Sequence, residues 1–527
     1  MSAGSISRDR YDCIIIGGGH NGLSCASYLA RAGRSVLVLE GNEQLGGMAI
    51  TREFAPGFRA SVGAHLLNQM PELLLTDLAL EKHGLRWAAQ RLPTVALSGG
   101  SPPLIIGAGA TEATGLEHPG EAQAYAEFVN QMRRFAAVLN PLLAQTPPRL
   151  GTGHWVDRWS LLKTGWRLRR LGRSDMRELL RIGGMNAYDL LHEHFQSPLL
   201  QGAIGLDAVL GTNLGPRSPG TVMTLLYRLA AQFGGGGRGL TLPQGGMGAV
   251  ADALTAAARH AGAEICTGTP VARVLVQGDR ACGVRLASGR ELGAATVNSS
   301  ADPKRSFIGL VGAEHLDAGF VRQVSHLRTR GAAAKLHLAL SGLPAFTHLP
   351  QGAHGARLLI APSLDYLEHA YNHSKYGEYS RAPALEITLP SLHDASLAPS
   401  GQHVLSAVVQ YAPYRVAGGW PEQREQFVNL LIDTVAHYAP NLRPLILASE
   451  LLTPEDLERE FRVTGGHWHH GDLALDQFFM VRPVPGAAQY STPLPGFYVC
   501  GAGSHPGGGV MGLAGRNAAR QVLAEAA

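Results

Sequence analysis

The residues most suited to chemistry are three glycines and an acid. They occur in Asp12-Cys-Ile-Ile-Ile-Gly17-Gly-Gly19-His-Asn-Gly22-Leu and in Ser35-Val-Leu-Val-Leu-Glu40. Gly17 allows a sharp turn, Gly19 clears backbone for a pyrophosphate, and Gly22 lets a following helix pack closely. Such a helix, opening at His20 and Asn21, would offer free N–H groups and its positive dipole end to phosphates. Glu40 is placed to accept hydrogen bonds from an adenosine ribose. A lone glycine pattern is weak evidence. Here a strand-like run precedes it and an acid closes the next strand, which points to a dinucleotide.

Histidines form the second group. His505 lies in a C-terminal glycine stretch, and Gly466-His467-Trp468-His469-His470-Gly471 lies shortly before it. A histidine with an ordinary pKa near 6.5 could take a C–H proton at neutral pH. The competing reading is that these imidazoles only shape a turn. The His-x-His-His spacing has no carboxylate or cysteine at ligand distance, so no metal site is expected. Lys335 and His337 alternate to one face of a strand-like segment. Their competing reading is an exposed strand face or a buried ion pair. Tyr366, Tyr371 and Tyr376 read as packing residues rather than an amine cage.

These groups must be positioned by a chain of 527 residues, long enough for two cores. With 45% hydrophobic and 16% charged residues, it reads as a globular enzyme. A net charge of +4 without a long basic tract implies no nucleic-acid partner. No apolar run approaches the ~20 residues of a membrane span, and the N-terminus lacks a signal-peptide core. Five cysteines without CxxC spacing suggest a reducing, cytoplasmic setting and no redox dithiol.

The pattern predicts an α/β dinucleotide-binding domain in three pieces (1–75, 240–305 and 486–527). A mixed α+β substrate domain occupies 76–239, which is helical with few strand signals, and 306–485, which carries half-buried strands. The composition break at 234–239 separates the first two pieces. Gly245-Gly-Met-Gly248 has no strand before it, so it is not read as a second nicotinamide motif.

A second glycine pair, Leu45-Gly46-Gly47-Met48, follows the acid and is similar to that of FAD enzymes of the glutathione-reductase-like superfamily. It favours FAD over NAD. At the other end, Cys500-Gly-Ala-Gly503-Ser-His505-Pro-Gly-Gly-Gly509-Val510-Met511-Gly-Leu-Ala-Gly-Arg-Asn-Ala-Ala is a glycine-lined turn whose small residues suit a planar ring. Amides near Val510 and Met511 could stabilise charge on a reduced flavin. With GPRSPGT at 215–221, SADP at 300–303 and LDQFFMVRPVPG at 475–486, the chain resembles the phytoene-desaturase-like flavoproteins. Within them it is most similar to the branch of pyridine nucleotide-disulphide oxidoreductase domain-containing protein 2.

The resemblance implies non-covalent FAD, a backbone contact from Val271 to adenine, and His65 and His470 near the flavin. It further implies oxidation or redox-neutral rearrangement of an apolar organic substrate, with oxygen or a quinone as acceptor. Amine oxidation and a non-enzymatic FAD-stabilised binding protein are the alternatives. One departure is that family members usually carry arginine just after the acid, whereas Gly41 and Asn42 stand here. Finally, Trp155, Trp159, Leu162 and Trp166 share a helical face among Lys163, Arg167, Arg169, Arg170 and Arg173. Residues 155–173 could contact a membrane surface, the substrate domain or a second copy in a homo-oligomer.

Overall fold

The protein is described by a computed structural model covering residues 6–109, 111–149, 154–233, 236 and 238–526. Most of the glycine run at 234–237 lies outside the described residues. Two sheets organise the chain.

The first sheet has seven strands in the order Glu264–Cys266, Val36–Leu39, Arg10–Ile16, Glu291–Ser299, Arg280–Leu286 and Val271–Gln277, with Phe497–Val499 also on Glu291–Ser299. The strands at 10–16, 36–39, 264–266, 291–299 and 497–499 are joined by parallel pairings. Parallel central strands are covered on both faces, which explains why Ile14, Ile15 and Val36 to Leu39 are all buried apolar residues. The helix His20–Arg31 covers one face, between Gly248–His260 and Leu513–Glu525. This is a Rossmann-type α/β arrangement. Its strands come from the beginning, middle and end of the sequence.

The second sheet has eight strands, ordered Ile446–Leu452, Ala333–Leu340, His403–Gln410, Ala384–Thr388, Arg357–Ile360, Thr94–Ala96, Leu104–Ile106 and Ala113–Thr114. Two sequence expectations need correction here. The stretch 76–239 contributes several strands as well as helices, but each is only two or three residues long, too short for alternation to register. The strands at 333–340, 384–388 and 403–410 are buried almost throughout rather than half-buried. Their interior register puts Lys335 beside Val408 with Glu386 one strand beyond, and His337 beside Ser406 with Thr388 one strand beyond. A polar row thus lies inside an otherwise apolar sheet.

The helices Glu121–Leu143, Ala187–His194, Pro198–Val209 and Thr221–Phe233 share one apolar core with Leu359, Leu364 and Tyr411. A two-residue strand, Leu242–Pro243, precedes the helix Gly248–His260. It pairs with Trp87–Ala89 rather than entering the first sheet.

Candidate active site

The first strand ends in a turn that only glycine can make. Gly17 has φ +93°, and a Cβ there would lie 2.5 Å from Ser300 Oγ. A Cβ on Gly22 would lie 2.1 Å from the Gly17 carbonyl oxygen, so the helix can sit this close only without a side chain. Gly19 differs, because a Cβ would meet nothing within 4 Å. The helix begins beside that space with no side-chain cap and no acid in its first turn. Its free N–H groups and dipole face a cradle suited to a diphosphate.

The acid and the second glycine pair extend the same floor. Glu40 accepts hydrogen bonds from the amides of Gly18 (2.7 Å) and Asn42 (2.8 Å). Gly46 donates its N–H to the Gly18 carbonyl at 2.8 Å. Gly41 then explains the missing arginine. A Cβ at Gly41 would stand 1.9 Å from Nη1 of Arg462, a residue at the C-terminal end of the helix Pro454–Phe461 with φ +57°. An arginine distant in sequence occupies the surroundings of position 41.

These groups line one cleft of about 1730 Å³, including its open mouth. Gly17, Gly19, His20, Asn21, Glu40, Gly46, Gly47, Met48, Val271, Gly509 and Val510 all line it, together with His65 and His470. Gly22 lies behind the turn. Gly503 packs on Pro303, where a Cβ would come within 2.5 Å.

Two further expectations change. The last helix begins at Leu513, after Gly512 in the left-handed region, and the Met511 amide donates to the Gly509 carbonyl at 3.0 Å. Only Val510 of that pair lines the cleft. His505 does not line it either; Nε2 donates to the Leu142 carbonyl at 2.9 Å.

The histidine loop is held from behind by Arg482, a buried guanidinium that has no carboxylate ion pair among the described residues. It donates to the carbonyls of His469, Gly471, Asp472, Gln477 and Ala502. Burial lowers its pKa to about 10. This arginine ties the loop at 469–472 to the C-terminal turn at 502, which accounts for its place in the sequence motif 475–486. His467 is diverted to structure, donating Nε2–H to Asp472 Oδ1 at 2.9 Å. His469 and His470 reach the cleft, each with Nδ1 unpartnered. Among the described residues no group of three or more His, Cys, Asp or Glu is arranged to hold a metal ion.

At the other end of the cleft His65 sits on the polar row of the second sheet. Its contacts fit the Nε2–H tautomer, donating to Glu386 Oε1 (3.0 Å) and accepting at Nδ1 from Thr388 (3.2 Å) or Ser406 (3.3 Å). Burial pushes His65, His470, His20 and His505 down to about 4. They are neutral at pH 7 and too weakly basic to serve as the general base their ordinary pKa suggested.

Burial alone would raise Glu386, but Arg357, His65 and Arg228 draw it well below 4.5. Arg357 also pairs with Asp207 at 2.6 Å, and Arg228 with Asp207 at 3.3 Å. Sequence reading missed Arg228, Arg357, Asp207 and Glu386. They are scattered over separate elements, and no local spacing joins them.

Lys335 is fully buried, its Nζ has no hydrogen-bond partner, and burial lowers its pKa to about 7 against the pull of Glu386. Because the folded value lies below the ordinary 10.5, the unfolded chain binds the extra proton between pH 7 and 10.5. In that window this lysine makes stability rise with pH by up to ~1.4 kcal/mol per unit. Denaturant unfolding of wild type and Lys335→Met across the window should show the difference shrinking as pH rises, with the variant more stable at pH 7.

The comparisons accord with this geometry. Residues 22–523 match the family model described as flavin containing amine oxidoreductase. The chain is 35% identical to pyridine nucleotide-disulfide oxidoreductase domain-containing protein 2 of Mus musculus, over 98% of this chain and 94% of that protein. It is 24% identical to the lycopene-forming phytoene desaturase of Pantoea ananas, over 95% and 96%. Among solved structures it is similar to wild-type putrescine oxidase bound to putrescine. That match has a TM-score of 0.61 and 14% identity, over 98% of this chain and 99% of that one. An open cradle at a helix N-terminus, an acid lining the same cleft and a full-length match agree: the chain belongs to the flavin-containing amine oxidoreductase family, its cofactor is FAD, and its distant relatives include a phytoene desaturase.

Proposed function

We propose that this oxidoreductase oxidises a carbon–hydrogen bond of an apolar, uncharged organic substrate, with oxygen or a quinone taking up the electrons. FAD, when bound, supplies the two-electron acceptor for a hydride. The first sheet and its three chain segments hold the cofactor, while the second sheet and the helical layer cover the substrate. Glu40, the Gly17–Gly22 turn and Gly46–Gly47 hold the adenosine and diphosphate part. His65, Glu386, Val408, Leu210 and His470 bound the other end.

One observation carries this reading. Both carboxylates near the substrate end, Glu386 and Asp207, are already committed to Arg357 and Arg228. Among the described residues the cleft's other acids, Glu40 and Asp302, each accept from backbone amides, so no carboxylate beside His65 is left to attract an ammonium group. Arg228, with Asp207 and Arg357, also borders a second chamber whose opposite wall is apolar, formed by Phe128, Val129, Met132, Ile204 and Leu225, which suits a hydrocarbon. The tyrosines that might have caged an amine are elsewhere. Tyr366 donates to the Pro383 carbonyl, Tyr371 packs on Tyr411, and Tyr376 is exposed. With the cleft histidines neutral and weakly basic, the residues mainly orient substrate and exclude water.

Anaerobic mixing of the purified FAD-loaded protein with micellar polyenes or terpenes should bleach the oxidised flavin band, and primary amines should not. Bleaching by amines alone, with peroxide formed in air, would overturn the reading.

Arg462 has its own test. It takes over the role of the arginine absent after Glu40 and steadies the ribose–diphosphate part of FAD. A charge-assisted hydrogen bond is worth ~1.5–3 kcal/mol, so Arg462→Ala should weaken FAD binding about tenfold or more. Gly41→Arg added to Arg462→Ala should restore it. Calorimetric titration of the deflavinated protein reads both, and an unchanged affinity in the single variant rejects the role.

A further inference from the structure

The helix Trp155–Arg170 has no buried residue. Its inner side, Asp157, Ser160, Thr164 and Leu168, is half-buried, and Leu168 packs on the core of the helical layer. On the outer side Trp155, Trp159, Leu162 and Trp166 recur at spacings that place all four on one stripe. These four, with Leu180 of the next helix (Arg173–Ile182), are between 53% and 73% exposed. Isolated exposed apolar residues need no explanation, but three tryptophans and a leucine on one stripe of a single helix do.

Cations surround the stripe. At about 100° per residue, Arg158 and Arg169 fall on one flank and Lys163 and Arg170 on the other, with Arg173 and Arg177 continuing beyond. Lys163 lies over the Trp159 ring and Arg170 over the Trp166 ring, with the cations 5.6 and 4.3 Å from the centroids. The acids are turned away or engaged. Asp157 sits on the inner side, and Asp175 is paired with Arg134 at 2.5 Å. Tryptophans prefer the headgroup level of a bilayer, and a basic collar is attracted to anionic lipid. Among the described residues no helix is long and apolar enough to cross a membrane, so this one would lie along the surface. A second copy is a poorer occupant, because two basic collars would be brought face to face.

We propose that the helix Trp155–Arg170 seats this protein on an anionic phospholipid surface, with its tryptophans in the interface and its arginines among the headgroups. The helix Glu121–Leu143, on which it rests, also lines the apolar chamber beside Arg228.

The test is flotation of the full-length, FAD-loaded protein with vesicles of phosphatidylcholine alone or mixed with phosphatidylglycerol. Co-flotation is expected with the mixed vesicles at low salt, falling steeply at high salt as the collar is screened. Brominated lipid should quench the tryptophan fluorescence of the bound wild type. Combined Trp155→Ala, Trp159→Ala and Trp166→Ala should lower vesicle partitioning at least about tenfold. Because these side chains are exposed, the flavin spectrum and thermal midpoint should be unchanged. A wild type that stays with the soluble fraction at low salt would overturn the proposal, as would a triple variant that floats equally well. A dimer in light scattering that becomes monomeric in the triple variant would reassign the stripe to self-association.

Discussion

Closure of the first glycine turn by the end of the chain is the constraint on which the remaining structure rests. A Cβ on Gly515 would lie 1.9 Å from the Asn21 carbonyl oxygen, so the first and last helices touch backbone to backbone. Ser24 donates to the Gly512 carbonyl at 2.9 Å, and His20 reaches the Gly509 carbonyl at 3.0 Å. The parallel pairing of Phe497–Val499 on Glu291–Ser299 brings the C-terminal segment to the same sheet. Without these contacts the floor and wall of the cleft would belong to separate bodies. With them, residues almost five hundred positions apart define one site.

Burial then sets the chemistry. Histidine is the usual residue for proton transfer near neutral pH, yet the cleft imidazoles are desolvated and held neutral. Charge is concentrated instead in the Arg357–Glu386–Asp207–Arg228 group, where opposite signs cancel. Arg482 takes a different course, dispersing its charge over backbone carbonyls and fixing the loop that carries His469 and His470. The outcome is a nearly charge-balanced group at that end of the cleft, which is the ground for the uncharged substrate proposed above.

Much of the cofactor half was legible because its signals are local. Gly17, Gly19, Gly22 and Glu40 lie within one strand–helix–strand unit, and Gly22 meets its steric limit at the Gly17 carbonyl oxygen only five residues away. The substrate half was less legible for two physical reasons. Its strands at 94–96, 104–106 and 113–114 are too short to show a period. Its polar group is assembled by register across the sheet, so that Lys335 and Glu386 are aligned only through pairings that no spacing encodes. His505 misled for a related reason. Its place in a glycine turn suggested the flavin, but the ring swings to the Leu142 carbonyl of a helix that the turn does not reveal. The arginine absent after Glu40 has a spatial counterpart in Arg462, which lies against Gly41 and which no local spacing reveals.

The most direct test of the central claim is hydrogen–deuterium exchange on the deflavinated chain, with and without one equivalent of FAD. If both ends close around a single cofactor, amides near 17–23 and near 500–512 should gain protection together and at the same FAD concentration. Protection confined to the N-terminal turn, or absent from both, would contradict it.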